Sequence, residues 1–139
     1  TLWIGATNNT ASSKMYGYSI VTQNNLCYLT SKYTMAIPSR TTGVAFDKDG
    51  YMYMTVSYAT NSSKANYISK LYKFKPDLNA PNKSNQILKG SKLKTLTLPP
   101  KAENVCVYGS YLYTIYSGSM YSSCKYPVDR VVATKLSSL

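Results

Sequence analysis

The sequence predicts an all-β fold assembled from repeated four-stranded antiparallel modules, and three observations carry that prediction. Asp47-Lys48-Asp49-Gly50 stands between two apolar runs, Thr42 to Phe46 and Tyr51 to Tyr58. Asp-Gly in that setting is a hairpin turn, because glycine accepts the positive φ the turn requires. Tyr, Thr, Val and Ser abound in short alternating runs with no long helical period, which suits strands half buried and half wet. Finally, pieces of the chain recur at fixed offsets, which makes each piece one copy of a structural unit.

Taken in order, Leu2 to Ala6 reads as a strand, Thr7 to Ser13 as a polar loop and Lys14 to Val21 as a second strand. Thr22 to Asn25 is a turn. Leu26 to Ile37 alternates loosely and stops at Pro38, which cannot donate to a strand ladder. The segment Ile37 to Phe74 then holds the Asp-Gly hairpin, a polar excursion and a closing strand, Ile68 to Phe74. Pro76 to Gly90 carries the Pro, Asn and Asp of a loop. Leu93 to Leu98 is a strand stopped by Pro99-Pro100, and Asn104 to Tyr108 with Tyr111 to Ser117 form a hairpin around Gly109-Ser110. Gly118 to Pro127 is irregular, and Val128 to Leu136 ends the chain as a strand.

The copies align residue by residue. Ser13-Lys14-Met15-Tyr16-Gly17-Tyr18 matches Ser69-Lys70-Leu71-Tyr72-Lys73-Phe74 at an offset of 56. Ile37-Pro38, Tyr51-Met52-Tyr53 and Ser57 match Leu98-Pro99, Tyr111-Leu112-Tyr113 and Ser117 at offsets of 60 or 61, and Leu2-Trp3-Ile4 falls where Met52-Tyr53-Met54 falls. A four-stranded repeat of about 50–60 residues is the size of a β-propeller blade, and a blade needs neighbours stacked on both faces. The predicted division is a half blade over 1–25, a full blade over 26–78 and a second full blade over 88–139. Ring closure takes at least about four blades. The remaining blades are therefore expected on another chain or another copy; a β-sandwich is the alternative architecture. The opening Thr-Leu-Trp, in place of Met, is read as the start of a processed or excised piece.

Gly43-Val44-Ala45-Phe46-Asp47-Lys48-Asp49-Gly50-Tyr51-Met52-Tyr53-Met54 resembles the strand, Asp-x-Asp-Gly, strand signature of secreted propellers of the NHL and SMP-30/gluconolactonase sort. Pro99 to Val105 running into Tyr111 to Ile115, followed by Lys125-Tyr126-Pro127-Val128-Asp129-Arg130-Val131, is similar to the last blade of secreted bacterial propellers. The resemblance implies a secreted or extracellular protein. It also implies a central channel in which Glu, Asn and Asp side chains hold calcium or another divalent ion. On this chain those ligands would be Glu103 and Asn104; the other reading of Glu103 is a residue tethering a loop.

Composition excludes several chemistries. With no His, the usual nucleophilic triads are unavailable, and Cys27, Cys106 and Cys124 lack the imidazole that would generate a thiolate. The cysteine spacing fits no zinc template. The three are read as small buried apolar residues, with a Cys106–Cys124 disulfide as the alternative. No Gly-rich loop precedes a helix, and no apolar run approaches the ~18 residues of a membrane span. Glycosylation sequons begin at Asn8, Asn61 and Asn82, all in expected loops. Asp47 and Asp49 are turn residues.

Sixteen bases stand against five acids, a net charge of +11. The local concentration is Lys83, Lys89, Lys92, Lys94 and Lys101. Spread lysines protect strand edges from pairing; they also draw a polyanion, such as an anionic glycan, a cell-surface polymer or a membrane surface. Nucleic acid is not expected as a partner, because Arg is nearly absent. The many tyrosines at period-2 spacing read as packing between blades, some stacking on sugars in the alternative. Lys92, Lys94, Lys101 and Tyr116 are the candidate ligand-binding residues. The expected function is a non-enzymatic binding scaffold for an anionic or glycan ligand, with no cofactor. The alternatives are a metal-dependent hydrolase or lactonase built on Glu103, and a self-assembling structural protein.

Overall fold

A computed structural model describes residues 1–6, 13–60, 66–78, 92–118 and 129–139. Among these described residues ten strands follow one another: β1 (Leu2–Ala6), β2 (Ser13–Gln23), β3 (Leu26–Ile37), β4 (Thr41–Phe46), β5 (Met52–Ala59), β6 (Tyr67–Phe74), β7 (Lys92–Thr97), β8 (Ala102–Tyr108), β9 (Tyr111–Ser117) and β10 (Asp129–Lys135). A 3-10 turn, Leu136–Ser138, follows β10. Among the described residues no helix is long and apolar enough to cross a membrane.

The strands form three antiparallel meanders, β1-β2-β3, β4-β5-β6-β7 and β8-β9-β10, and none closes on itself. The turns follow local chemistry. Asn24 and Asn25 both take positive φ (51° and 59°) to join β2 to β3 in a two-residue hairpin. Gly50 (φ 78°) and Gly109 (φ 56°) serve the β4–β5 and β8–β9 hairpins.

The sheets stack in chain order. Met15, Met35 and Ile37 of the first sheet pack against Met52, Met54 and Phe74 of the central one, with Trp3, Val44 and Phe46 around them. Tyr53 and Leu71, on the opposite face of the central sheet, pack against Val105 and Leu112 of the third. β5 is therefore covered on both sides, and Met52, Tyr53, Met54 and Thr55 are all 1% exposed or less. Each fully buried apolar side chain of this kind contributes about 1.5–3 kcal/mol before entropy is charged against it.

The repeat seen in the sequence is visible in the pairing registers. Leu2 pairs with Tyr18 as Met52 pairs with Phe74, and Lys14 with Ala36 as Lys70 with Thr97. Thr41 pairs with Val56 as Ala102 pairs with Tyr116, and each ladder slips at that point. Arg40 and Lys101, the residues that precede β4 and β8, both have φ near +60° (61° and 62°). Strands β1, β5 and β9 are thus one position of the repeat, and β4 and β8 another.

The sheets divide the chain at other points than the expected blade boundaries. Leu26–Ile37 pairs with β2 and so completes the first sheet, and Lys92–Thr97 pairs with β6 and completes the central one. The chain crosses to the next sheet only after Ile37-Pro38 and Leu98-Pro99, where proline ends each ladder. Cys27 and Cys106 are exposed, not buried. Cys27 lies on the β2–β3 hairpin, whose distal half is exposed on both faces, and Cys106 points to the outer side of the third sheet. Cys106 carries a free thiol; Cys124, its expected partner, lies outside the described residues, as do the three sequon asparagines.

Candidate functional site: a lysine and tyrosine cleft between two hairpin turns

The site begins with Asp47. Its Oδ1 accepts the backbone N–H groups of Asp49 and Tyr51, both at 2.9 Å, and its Oδ2 accepts the Tyr53 hydroxyl at 3.0 Å. The Gly50 N–H closes the turn on the Asp47 carbonyl at 3.1 Å. Asp47 is therefore a turn residue, as its place before Asp-Gly implies. It also fixes Tyr53 beneath the turn. Burial, and then the bond to Asp47, push the Tyr53 hydroxyl well above its ordinary titration range.

From Tyr53 a row of side chains runs across the central sheet on the side facing the third sheet. Tyr53 pairs with Lys73, and Lys73 with Lys94. The Lys73 ammonium lies 4.6 Å from the Tyr51 ring centroid and 5.8 Å from that of Tyr53, and the Lys75 ammonium lies 4.2 Å from the Tyr51 centroid. Lys75 also donates to the Asp49 carbonyl. The far wall is the end of the third sheet. There the Leu136 N–H donates to Ser110 O at 2.9 Å, and Lys94 donates to Ser138 O at 2.9 Å.

Between these walls lies a cleft of about 430 Å³, lined by Lys48, Lys73 and Lys135, by the carboxylates of Asp47 and Asp49, and by Tyr51, Tyr53 and Tyr111. Lys48 is paired with Asp49 at 2.7 Å. Neither Lys73, Lys94 nor Lys135 forms an ion pair among the described residues. Cations held by ring faces and carbonyls keep their charge available to an anion.

The sequence-predicted residues do not converge. Lys92 and Lys94 lie at the cleft end of β7, where Lys92 stands 5.6 Å over Tyr72. Lys101 and Tyr116 are at the opposite end, since Lys101 precedes β8 and its neighbour Ala102 pairs with Tyr116. Tyr116 is 4% exposed, beneath the Arg130 guanidinium, and burial raises its hydroxyl's pKa. Lys83 and Lys89 lie outside the described residues. The tyrosines divide: Tyr53 and Tyr116 are packed inside, whereas Tyr108 is 78% exposed.

Glu103 and Asn104 are occupied by local partners. Glu103 pairs with Lys101 at 2.6 Å and accepts the Ser117 hydroxyl at 3.0 Å. Asn104 Oδ1 accepts the Val105 N–H at 2.8 Å. No three His, Cys, Asp or Glu side chains converge among the described residues. Glu103 is thus held by a cation and a hydroxyl, the contacts of a tether. In the central sheet Thr42 occupies the repeat position of Glu103, and there the buried Ser57 hydroxyl, equivalent to Ser117, has no partner.

Lys73, Lys135, Tyr51 and Tyr53 escaped sequence reasoning as a group. Tyr51 and Tyr53 are near neighbours in sequence, but Lys73 and Lys135 are distant from them, and only the β5–β6 register and the packing of the third sheet bring the four together. No family model matches the chain, and neither a search of curated proteins nor one of solved structures returned a match.

Proposed function

We propose that this chain is part of a secreted or surface β-propeller that acts as a non-enzymatic binding scaffold for an anionic glycan. In this reading each sheet is all or part of a blade. The succession of equivalent registers, slips and left-handed basic residues from sheet to sheet supports it. One observation carries the ligand class: Lys73, its ammonium over the faces of Tyr51 and Tyr53, stands opposite Lys94, and among the described residues neither forms an ion pair with a carboxylate. Acidic groups on a saccharide answer the ammonium groups, and the sugar's apolar C–H face answers the exposed part of the Tyr51 ring.

The test is calorimetric titration with a short sulfated oligosaccharide and with its unsulfated counterpart. The sulfated form is expected to bind with an affinity that falls as salt rises. The neutral form and a Lys73→Gln/Lys94→Gln/Lys135→Gln variant are expected to show little binding. Equal binding by that variant, or no binding by the native chain, contradicts the proposal.

A further inference from the structure

The third sheet shows what one corner of the repeat binds. The Lys101 ammonium and the Ser117 hydroxyl meet on a single oxygen, Glu103 Oε1, at 2.6 and 3.0 Å. The Ser117 N–H donates to Lys101 O at 3.1 Å and holds the two residues side by side. The corner is a carboxylate site whose carboxylate comes from the strand itself. Donors of this kind on an ionised oxygen make the stronger class of hydrogen bond.

The central sheet repeats the corner without the acid. Arg40 stands where Lys101 stands, with the same left-handed backbone, φ 61° against 62°. Ser57 stands where Ser117 stands, and its N–H donates to Arg40 O at 3.4 Å. Thr42 takes the position of Glu103, at the slip in each ladder. Its hydroxyl is turned to Thr55 Oγ1 and to Ala102 O, at 3.0 and 2.7 Å. The Ser57 hydroxyl is enclosed and has no hydrogen-bond partner among the described residues. The Arg40 guanidinium lies 4.4 Å from the Tyr58 ring centroid, and a guanidinium on a ring face still presents N–H donors around its edge. Ser39, Arg40, Tyr58, Ala59 and Thr60 line a hollow of about 520 Å³, within the range of sites that take small organic ligands.

We propose that this corner of the central sheet binds a carboxylate brought by a ligand, in the place that the Glu103 carboxylate holds in the third sheet. The group enters through the hollow. Arg40 supplies the charge and Ser57 the second donor, as Lys101 and Ser117 do for Glu103. The corner lies at the start of β4 and the end of β5, the opposite end of the central sheet from the Asp47 turn. It is therefore a second site, and it holds whether or not the lysine cleft takes an anion.

Glucuronate and N-acetylglutamate carry the same group on a sugar and on an amino acid, and amide NMR of the isotopically labelled chain reads where each one binds. Saturable shifts are expected at the Arg40, Ser57 and Tyr58 amides with both, the tighter naming the source, and none with glucose. Shifts at Lys73 and Lys94 report the other site and are scored apart. Arg40→Gln and Ser57→Ala are each expected to weaken the binding by about tenfold, the loss of one hydrogen bond to a charged group. Thr42→Glu supplies the carboxylate from within and is expected to abolish the shifts, with the amide spectrum of β1 to β3 unchanged as the check that the chain is folded. No saturable shift at this corner in the native chain, shifts of the same strength with glucose, or native binding by Arg40→Gln or by folded Thr42→Glu overturns the proposal.

Discussion

Lys73 and Lys94 stand directly opposite one another on β6 and β7, two cations in register on one sheet face. Like charges so placed cost about 0.2–1 kcal/mol. Lys73 is steadied by the rings of Tyr51 and Tyr53, and Lys94 by the Ser138 carbonyl. Removing one charge should therefore stabilise the ligand-free fold. Lys94→Gln is expected to raise the denaturation midpoint at low salt by up to about 1 kcal/mol in unfolding free energy, with the gain shrinking as salt screens the native pair. Denaturant titrations at two salt concentrations measure it.

Gly17 lets two rings meet. A Cβ at this position would lie 2.7 Å from the Trp3 ring and 2.9 Å from that of Tyr33, and those rings stack with centroids 5.4 Å apart. Gly17→Ala is expected to cost about 1–3 kcal/mol by overpacking. The chain has one Trp, so its fluorescence reports this junction alone, and a shifted emission maximum in the variant is the predicted sign.

Gly43 does the same for backbones. A Cβ there would meet Asn104 Cα and Val105 N, both at 2.7 Å. These are main-chain atoms that cannot swing away. The Thr42 hydroxyl beside it donates to Ala102 O at 2.7 Å and ties β4 to β8. Gly43→Ala should push β4 from β8 and cost about 1–3 kcal/mol. Hydrogen exchange is expected to quicken in β8 and β9 and to stay unchanged in β1 to β3.

Tyr53 sets an alkaline limit. Its folded-state pKa is raised, by burial first and then by Asp47, above the ordinary value of 10.0. The folded chain therefore holds this proton more tightly than the unfolded chain. Its contribution is complete below the unfolded value and is lost as pH climbs past that value through the folded one. Stability should fall above about pH 10, and Tyr53→Phe should soften the fall. Phenolate absorbance should show Tyr53 and Tyr116 ionising later than the exposed tyrosines, and only in the native protein.

Much of the fold was legible because its signals are local. Asp-Gly, Asn-Asn and Gly-Ser mark three hairpins, and the alternation of Met52 to Val56 marks a strand. The repeat was legible as well, and β1–β2 and β5–β6 pair equivalent residues of it. Which strands share a sheet was not. Pro38 ends a strand in either grouping, and only hydrogen bonding shows that β3 belongs with β2. The site was less legible still. Lys92, Lys94 and Lys101 are close in sequence, yet β7 runs from one end of the central sheet to the other and carries Lys101 away from the other two. Lys73 drew no notice because its neighbours in the cleft are set by pairing, not by spacing.

The most direct test of the account is the thermal midpoint of the chain with and without an anionic polysaccharide, compared with that of Lys73→Gln/Lys94→Gln. A ligand seated on the paired lysines should stabilise the native chain by on the order of 2.7 kcal/mol at a hundredfold excess over Kd, and should leave the variant's midpoint unmoved. An equal rise in both proteins, or no rise in the native chain, contradicts the assignment of this cleft as the binding site.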